Sequence, residues 1–233
     1  MSTISENLAL IQQEIAPYTP KIVAVTKYFD EMGIVNAYEA GLRDFGENRV
    51  QDALAKIEKL PAHIRENSKF HLIGHLQTNK VKKAVGVFDL IHSVDSIKLA
   101  AAISEEARNK STVQKILLQV NTADEEGKFG FAKGEIEGAF EEILALEEGA
   151  ESAGSGGIKI EGLMTIAPIS RDEEYLRMLF REIIQIKDKI TTKFSYNLNE
   201  ISMGMSDDYG IAVTEGSTII RIGRKLFQEK TQR

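Results

Sequence analysis

The chain has 233 residues, 42% hydrophobic and 27% charged, which is enough apolar material for a sizeable core and enough charge for a soluble surface. With 35 Asp and Glu against 29 Lys and Arg, the formal net charge of -6 gives no overall positive field to gather nucleic acid. The absence of Cys removes disulfides, thiolate metal ligands and a cysteine nucleophile. With neither a basic-then-apolar leader nor an uninterrupted apolar run of spanning length, the expectation is a cytoplasmic protein with no membrane partner.

Residues 3–16 place Ile4, Leu8, Leu10, Ile11 and Ile15 on a roughly helical period, which predicts a helix ahead of the first strand. Strand-length apolar runs then follow at 22–26, 44–46, 70–74, 90–94, 115–121, 158–166, 200–205 and 218–223. Between them lie helix-period segments at 30–40, 48–59, 77–86, 96–109, 133–148, 171–191 and 206–214, with a last one from 224. The run "GAESAGSGG", residues 149–157, reads as a flexible surface loop before the sixth strand. Continuous apolar strands alternating with helices imply parallel strands covered on their outer face. Eight such units predict an α/β fold, a single (β/α)₈ barrel, with an open doubly wound sheet as the alternative of similar composition. No compositional shift marks a second domain, so residues 1–233 are expected to form one.

In such a barrel the ligand face lies at the carboxyl ends of the strands. The polar and special residues there are Lys27, Glu47 with Asn48, His75, Ser93 with Asp95, Asn121, Met164 with Thr165, Ser202 with Gly204, and Arg221 with Gly223. Lys27 has two readings: a rim lysine whose stem packs while its ammonium reaches water, or a partly desolvated amine that captures an aldehyde. The loops "SMGMSDD" (202–208) and "RIGRK" (221–225) follow strands seven and eight, where barrels frequently hold phosphate. Each alone is equally a good turn. Arg221, inside the apolar "IIRIG", needs an acceptor, either a structural carboxylate or a ring nitrogen of a bound cofactor. An aldehyde-capturing lysine, a phosphate cradle and a cation facing a heteroaromatic nitrogen together describe a pyridoxal 5'-phosphate (PLP) site.

"HLIGH" spaces His71 and His75 four apart, but on a strand, and without the Glu of a zinc-helix motif, so no metal is assigned. "DEEGKFGF" (124–131) reads as a lid segment after the fifth strand.

Taken in order, "AVTKY" around Lys27, "FGENRVQ" (45–51), "HLIGHLQTNK" (71–80), "HSVDS" (92–96), "QVNTADEEGKFGF" (119–131), "GLMTIAP" (162–168) and "SMGMSDDYGIAVTEGSTIIRIG" (202–223) closely resemble the pyridoxal phosphate homeostasis protein family, small relatives of the amino-terminal barrel of alanine racemase. The resemblance implies PLP carried as a Schiff base on Lys27. It implies Ser202, Gly204, Gly223 and Arg224 at the phosphate, Arg221 at the pyridine nitrogen, and Asn48, His75 and Met164 along the ring. It also implies a role in PLP homeostasis and amino- and keto-acid balance without robust turnover, with PLP-dependent apoenzymes as transient recipients. The racemase's C-terminal β domain, which supplies the tyrosine base, has no counterpart in this sequence, so a monomer is expected. A monomeric PLP-dependent amino-acid racemase is the alternative, and a cofactor-free Schiff-base barrel enzyme acting on sugar phosphates is a third reading.

Overall fold

The strands in chain order are β1 (Lys21–Val25), β2 (Asp44–Glu47), β3 (Lys69–Leu72), β4 (Leu90–Val94), β5 (Val113–Asn121), the two-residue β6 (Phe131–Ala132), β7 (Gly157–Met164), β8 (Glu200–Ser202) and β9 (Ile219–Ile222). They come from a computed structural model that describes residues 3–125, 127–153, 156–170 and 172–229. Every pairing is parallel, in the order β4-β3-β2-β1-β9-β8-β7-β5, and β4 also pairs with β5, which closes an eight-stranded barrel. Around it run α1 (Thr3–Ile15), α2 (Glu31–Glu39), α3 (Val50–Lys59), α4 (Ala62–Glu66), α5 (Val81–Ala84), α6 (Ile97–Asn109), α7 (Ile136–Ala153), α8 (Glu173–Phe194), α9 (Tyr209–Thr214) and α10 (Arg224–Phe227). The open-sheet alternative is thereby excluded.

The strands read as unbroken apolar runs because both of their faces are covered. Outward residues such as Ala24, Phe45, Leu72, Ile91 and Leu118 pack against Ile34, Ile103, Phe140 and Phe180 of the helices. Inward residues Val23, Leu90, Leu117, Met164 and Ile219 form a separate cluster inside the barrel. Side-chain caps help to start the helices. Asp30 accepts from Met32 N–H, Ser96 from Leu99 N–H and Asp172 from Tyr175 N–H.

Three local features differ from the sequence expectation. The last predicted strands extend too far, since β8 and β9 stop at Ser202 and Ile222 and the chain then turns into the ligand-face loops. The short α4 was hidden because its five residues are below the length at which a helical period shows. Residues 149–153 of the predicted loop continue α7, as Ala- and Glu-rich sequence will, while Gly156 turns with φ +78 into β7. Gly154 and Ser155 of that loop lie outside the described residues. Among the described residues no helix is long and apolar enough to cross a membrane.

Candidate functional site

Side chains alternate along a strand, so a residue's parity with Val23, which faces the interior, tells where it points. Lys27 shares that parity. Thr26 N–H still donates to Gly46 O at 3.0 Å, so the ladder continues just past β1, and Phe29 N–H to Thr26 O at 2.9 Å then closes a turn that carries Lys27 at the carboxyl end of the strand. The residue is half-buried, with Nζ 5.0 Å from the centroid of the Tyr28 ring, whose side chain is exposed. Thr26 points the other way. Its Oγ1 donates to Glu47 Oε1 at 2.6 Å, and Lys56 of α3 donates to both Glu47 oxygens (2.8 and 3.0 Å) and to Thr26 O (2.9 Å). Glu47 is therefore a structural anchor beneath the rim and not part of the ligand face.

Below Lys27, Arg221 is paired in register with Val23. Val23 lies four residues before Lys27, which puts Arg221 deeper in the barrel than the turn that carries the lysine. Arg221 is buried, and burial draws its guanidinium down to about 10, still charged at neutral pH. Nη1 donates to Ser202 Oγ at 2.5 Å and Nη2 to Thr165 O at 2.9 Å. Among the described residues no carboxylate contacts it. Asp208, whose charge it feels, instead accepts from Met205 N–H at 2.5 Å. The structural-carboxylate reading of Arg221 is thus not what the fold provides. A buried cation with donors left over suits a ligand that brings its own acceptor.

Ser202 is committed inside the barrel, its Oγ shared by Arg221 and by His92 Nδ1 at 2.9 Å. On the loop itself the hydroxyl is Ser206, which accepts from Lys225 N–H at 3.3 Å. Gly204 sits at φ +93, and a Cβ there would lie 2.6 Å from Ala212 Cβ and 3.0 Å from Tyr209 Cα, so the loop can lie against α9 only with glycine. Arg221 N–H donates to Gly204 O at 3.0 Å, which ties the two loops together. Gly223 lies beside Val25, 3.4 Å from its Cβ to an added Cβ. Phe29 and Phe227 rings meet at 4.4 Å. The loop after β9 is thereby held next to the segment that carries Lys27. Arg224 is exposed and ion-pairs with Asp207.

Across the mouth, His75 Nδ1 lies 2.9 Å from Asp95 Oδ2, and its ring stacks on Phe129 at 3.7 Å and 12°. Phe129 belongs to the segment after β5. Gln119 Nε2 holds its carbonyl at 3.0 Å, and β6 pairs with the end of β5. Asn48 is half-buried where β2 ends, crossed so closely by the next loop that a Cβ on Gly74 would be 2.4 Å from Asn48 O. Met164 is fully buried in the interior apolar cluster, so it forms floor rather than rim.

Sequence reasoning missed the polar residues lower in the barrel. His71 Nε2 is 2.9 Å from Asp44 Oδ1, and His71 Nδ1 is 2.9 Å from His92 Nε2, all below Ser202 and Arg221. The available signal was His92 in "LIHSV", a polar residue in an otherwise apolar strand with the parity of Leu90.

A family model described as the alanine racemase N-terminal domain matches residues 1–230. A curated relative from Aquifex aeolicus, a pyridoxal phosphate homeostasis protein, is 38% identical over 210 residues, 90% of this chain and 87% of that one. A structure of PipY from Synechococcus elongatus without PLP superposes with a TM-score of 0.86 at 35% identity, covering 97% of this chain and 100% of that one. The same protein with PLP bound gives 0.82 at 34% identity over the same shares. Matched along almost its whole length by both the domain model and the named relatives, the chain belongs to the pyridoxal phosphate homeostasis protein family, built on the alanine racemase N-terminal barrel.

Proposed function

We propose that this protein binds PLP, carries it as a Schiff base on Lys27, and holds or delivers it in PLP homeostasis and amino- and keto-acid balance rather than turning over a substrate. The observation that carries this reading is Arg221, a buried cation without a contacting carboxylate among the described residues, placed below the lysine at the mouth and beside two glycine loops. The PLP-bound structure of PipY supports it. When bound, PLP would supply an electrophilic aldehyde and an electron-withdrawing ring. Lys27 supplies the amine. Ser206 and the backbone at Gly204, Gly223 and Arg224 surround the phosphate, with Ser202 positioning Arg221 from beneath. Arg224 engages the phosphate by exchanging Asp207 for it. Met164 floors the ring, and Asn48 and His75 edge it. Arg221 can only donate, so it leaves a pyridine nitrogen unprotonated, which weakens the ring as an electron sink and favours holding over catalysis.

On this reading the protein is a cytoplasmic monomer and PLP-dependent apoenzymes are its transient recipients. Incubation with PLP should produce a visible absorption band that dialysis does not remove. After borohydride reduction, mass analysis should find a pyridoxyl group on Lys27. A protein that stays colourless, or a Lys27→Ala variant that keeps the band, refutes the assignment. The racemase reading is favoured by one observation, the imidazole of His75 oriented by Asp95 at the mouth, an arrangement suited to moving a proton. It predicts exchange of an amino acid's α-hydrogen for deuterium that disappears in Lys27→Ala.

A further inference from the structure

The interior below the site contains an unbroken string of polar side chains: Arg221 Nη1 to Ser202 Oγ (2.5 Å), Ser202 Oγ to His92 Nδ1 (2.9 Å), His92 Nε2 to His71 Nδ1 (2.9 Å) and His71 Nε2 to Asp44 Oδ1 (2.9 Å). Both imidazoles and Ser202 are buried, while Asp44 stands at the first residue of β2, the opposite end of the barrel from Lys27. None of Asp44, His71 or His92 belongs to the ligand face.

Donor chemistry orders this string. Arginine only donates, so Ser202 Oγ accepts from it and must place its own proton elsewhere. The remaining neighbour is His92 Nδ1, which therefore accepts. A neutral His92 then carries its proton on Nε2 and donates to His71 Nδ1, and His71 in turn donates from Nε2 to the Asp44 carboxylate. Every group is satisfied once. In the reverse order Ser202 would accept from both Arg221 and His92, and its own proton would have no partner in the string, which is costly in a buried position. Burial, first of all, and the nearby positive charge of Arg221 hold His92 well below the ordinary imidazole range, in agreement with a neutral ring.

We propose that Asp44, His71, His92 and Ser202 form a one-directional hydrogen-bond relay that positions Arg221, linking the buried cation to a carboxylate counter-charge at the far end of the barrel. Arg221 is thereby fixed from below by the relay and from the side by Thr165 O. That side contact is itself braced, because Thr165 Oγ1 donates to Val120 O at 2.9 Å and lies 3.0 Å from Thr122 Oγ1. The remaining guanidinium donors are left for the ligand. The relay's direction stands whether or not PLP binds. Its consequence for the pyridine nitrogen rests on the function proposed above.

The test uses ¹⁵N-labelled full-length protein without PLP at neutral pH. Long-range ¹H–¹⁵N correlations distinguish ring tautomers, and the four histidines are assigned by single substitution. His71 and His92 should both be neutral with the proton on Nε2. A proton on Nδ1 of either ring, or a doubly protonated ring, overturns the relay even if PLP binds normally. In PLP titrations His92→Asn keeps an acceptor for Ser202 and should bind close to wild type. His92→Leu should weaken PLP binding about tenfold or more and shift the absorption band, the scale of losing one hydrogen bond to a charged group. Equal affinity and an unshifted band in both variants would refute the positioning role. If His92→Leu does not fold, Ser202→Ala provides the same comparison from the other side of the relay.

Discussion

Replacing Lys56 by Met tests how the barrel presents Lys27. The ammonium of Lys56 makes three contacts, to both oxygens of Glu47 and to Thr26 O, and so uses its full donor capacity. Its partner's side chain is only 1% exposed. Methionine fills much of the same volume, so the loss is mainly electrostatic: Glu47 keeps one neutral donor, Thr26 Oγ1, and Thr26 O loses the ammonium. Stripping one partner from a buried ion pair costs about 3–5 kcal/mol. At about 2–4 °C per kcal/mol for a chain of this size, the melting temperature should fall by roughly 6–20 °C. Thr26 immediately precedes Lys27, so PLP binding should weaken in the same variant under conditions where it remains folded. Calorimetry gives the first quantity and absorbance titration the second. The double variant Glu47→Gln/Lys56→Met removes the stranded charge and should recover at least half of the lost stability. A Lys56→Met cost below about 1 kcal/mol, or a double variant no better than the single one, would show that the pair is not the anchor claimed here.

Gly204→Ala forces a side chain onto φ +93 and into Ala212 and Tyr209, so a loss of about 2–4 kcal/mol in chemical denaturation should accompany weaker PLP binding; an alanine variant of wild-type stability would contradict the packing described. Glu14 is held below the ordinary 4.5 by hydrogen bonds from Lys225 and then Tyr209, which join α1 to α9 and α10. A depressed carboxylate contributes fully above its unfolded value and loses that contribution as pH falls through the folded one, so Glu14→Gln should flatten part of the acid-induced loss of melting temperature as the pH falls below the ordinary 4.5. Identical acid slopes would exclude it. Phe129→Ala removes the ring stacked on His75 and should speed PLP release several-fold, measured by transfer to an excess of apoenzyme, with the absorption maximum unchanged. An unchanged release rate would remove the segment from the exit path.

The barrel was legible because eight apolar runs alternated with helical periods, a pattern that reflects coverage on both faces and survives errors of two or three residues at each strand end. Lys27, Arg221 and the glycine loops were legible as neighbours at the carboxyl ends of the strands, which share one face in this fold; that they serve one ligand is the function proposed above. The Ser202 contact was not. Its neighbours in sequence place it with the phosphate loop, whereas strand parity turns its hydroxyl downward to His92, more than one hundred residues away in the chain. His71 was weighed only against His75, four residues on, although its partner is His92 on the adjacent strand. Contacts across the interior depend on register and shear, neither of which a single sequence reports.

Period-two alternation also explains why neighbouring residues at the rim have separate tasks. Thr26 and Glu47 face outward and fasten the ends of β1 and β2 to α3, while Lys27 follows in the turn at the mouth. Along β9, Ile220 and Ile222 join the outer core while Arg221 between them faces the interior. Of the two residues proposed to meet opposite ends of the cofactor, Arg221 is embedded in a strand whose adjacent positions are fixed by packing, and Lys27 directly follows Thr26, which buried hydrogen bonds hold. The register Val23↔Arg221 sets the level of Arg221 against the strand that leads to Lys27, and it cannot slip by one residue without turning Arg221 into the apolar layer beneath the helices. A slip of that kind would also break the string from Asp44 to Arg221 at its last link, between Ser202 and Arg221. The same register thus fixes the depth of the arginine in the barrel and the acceptor that holds it in place.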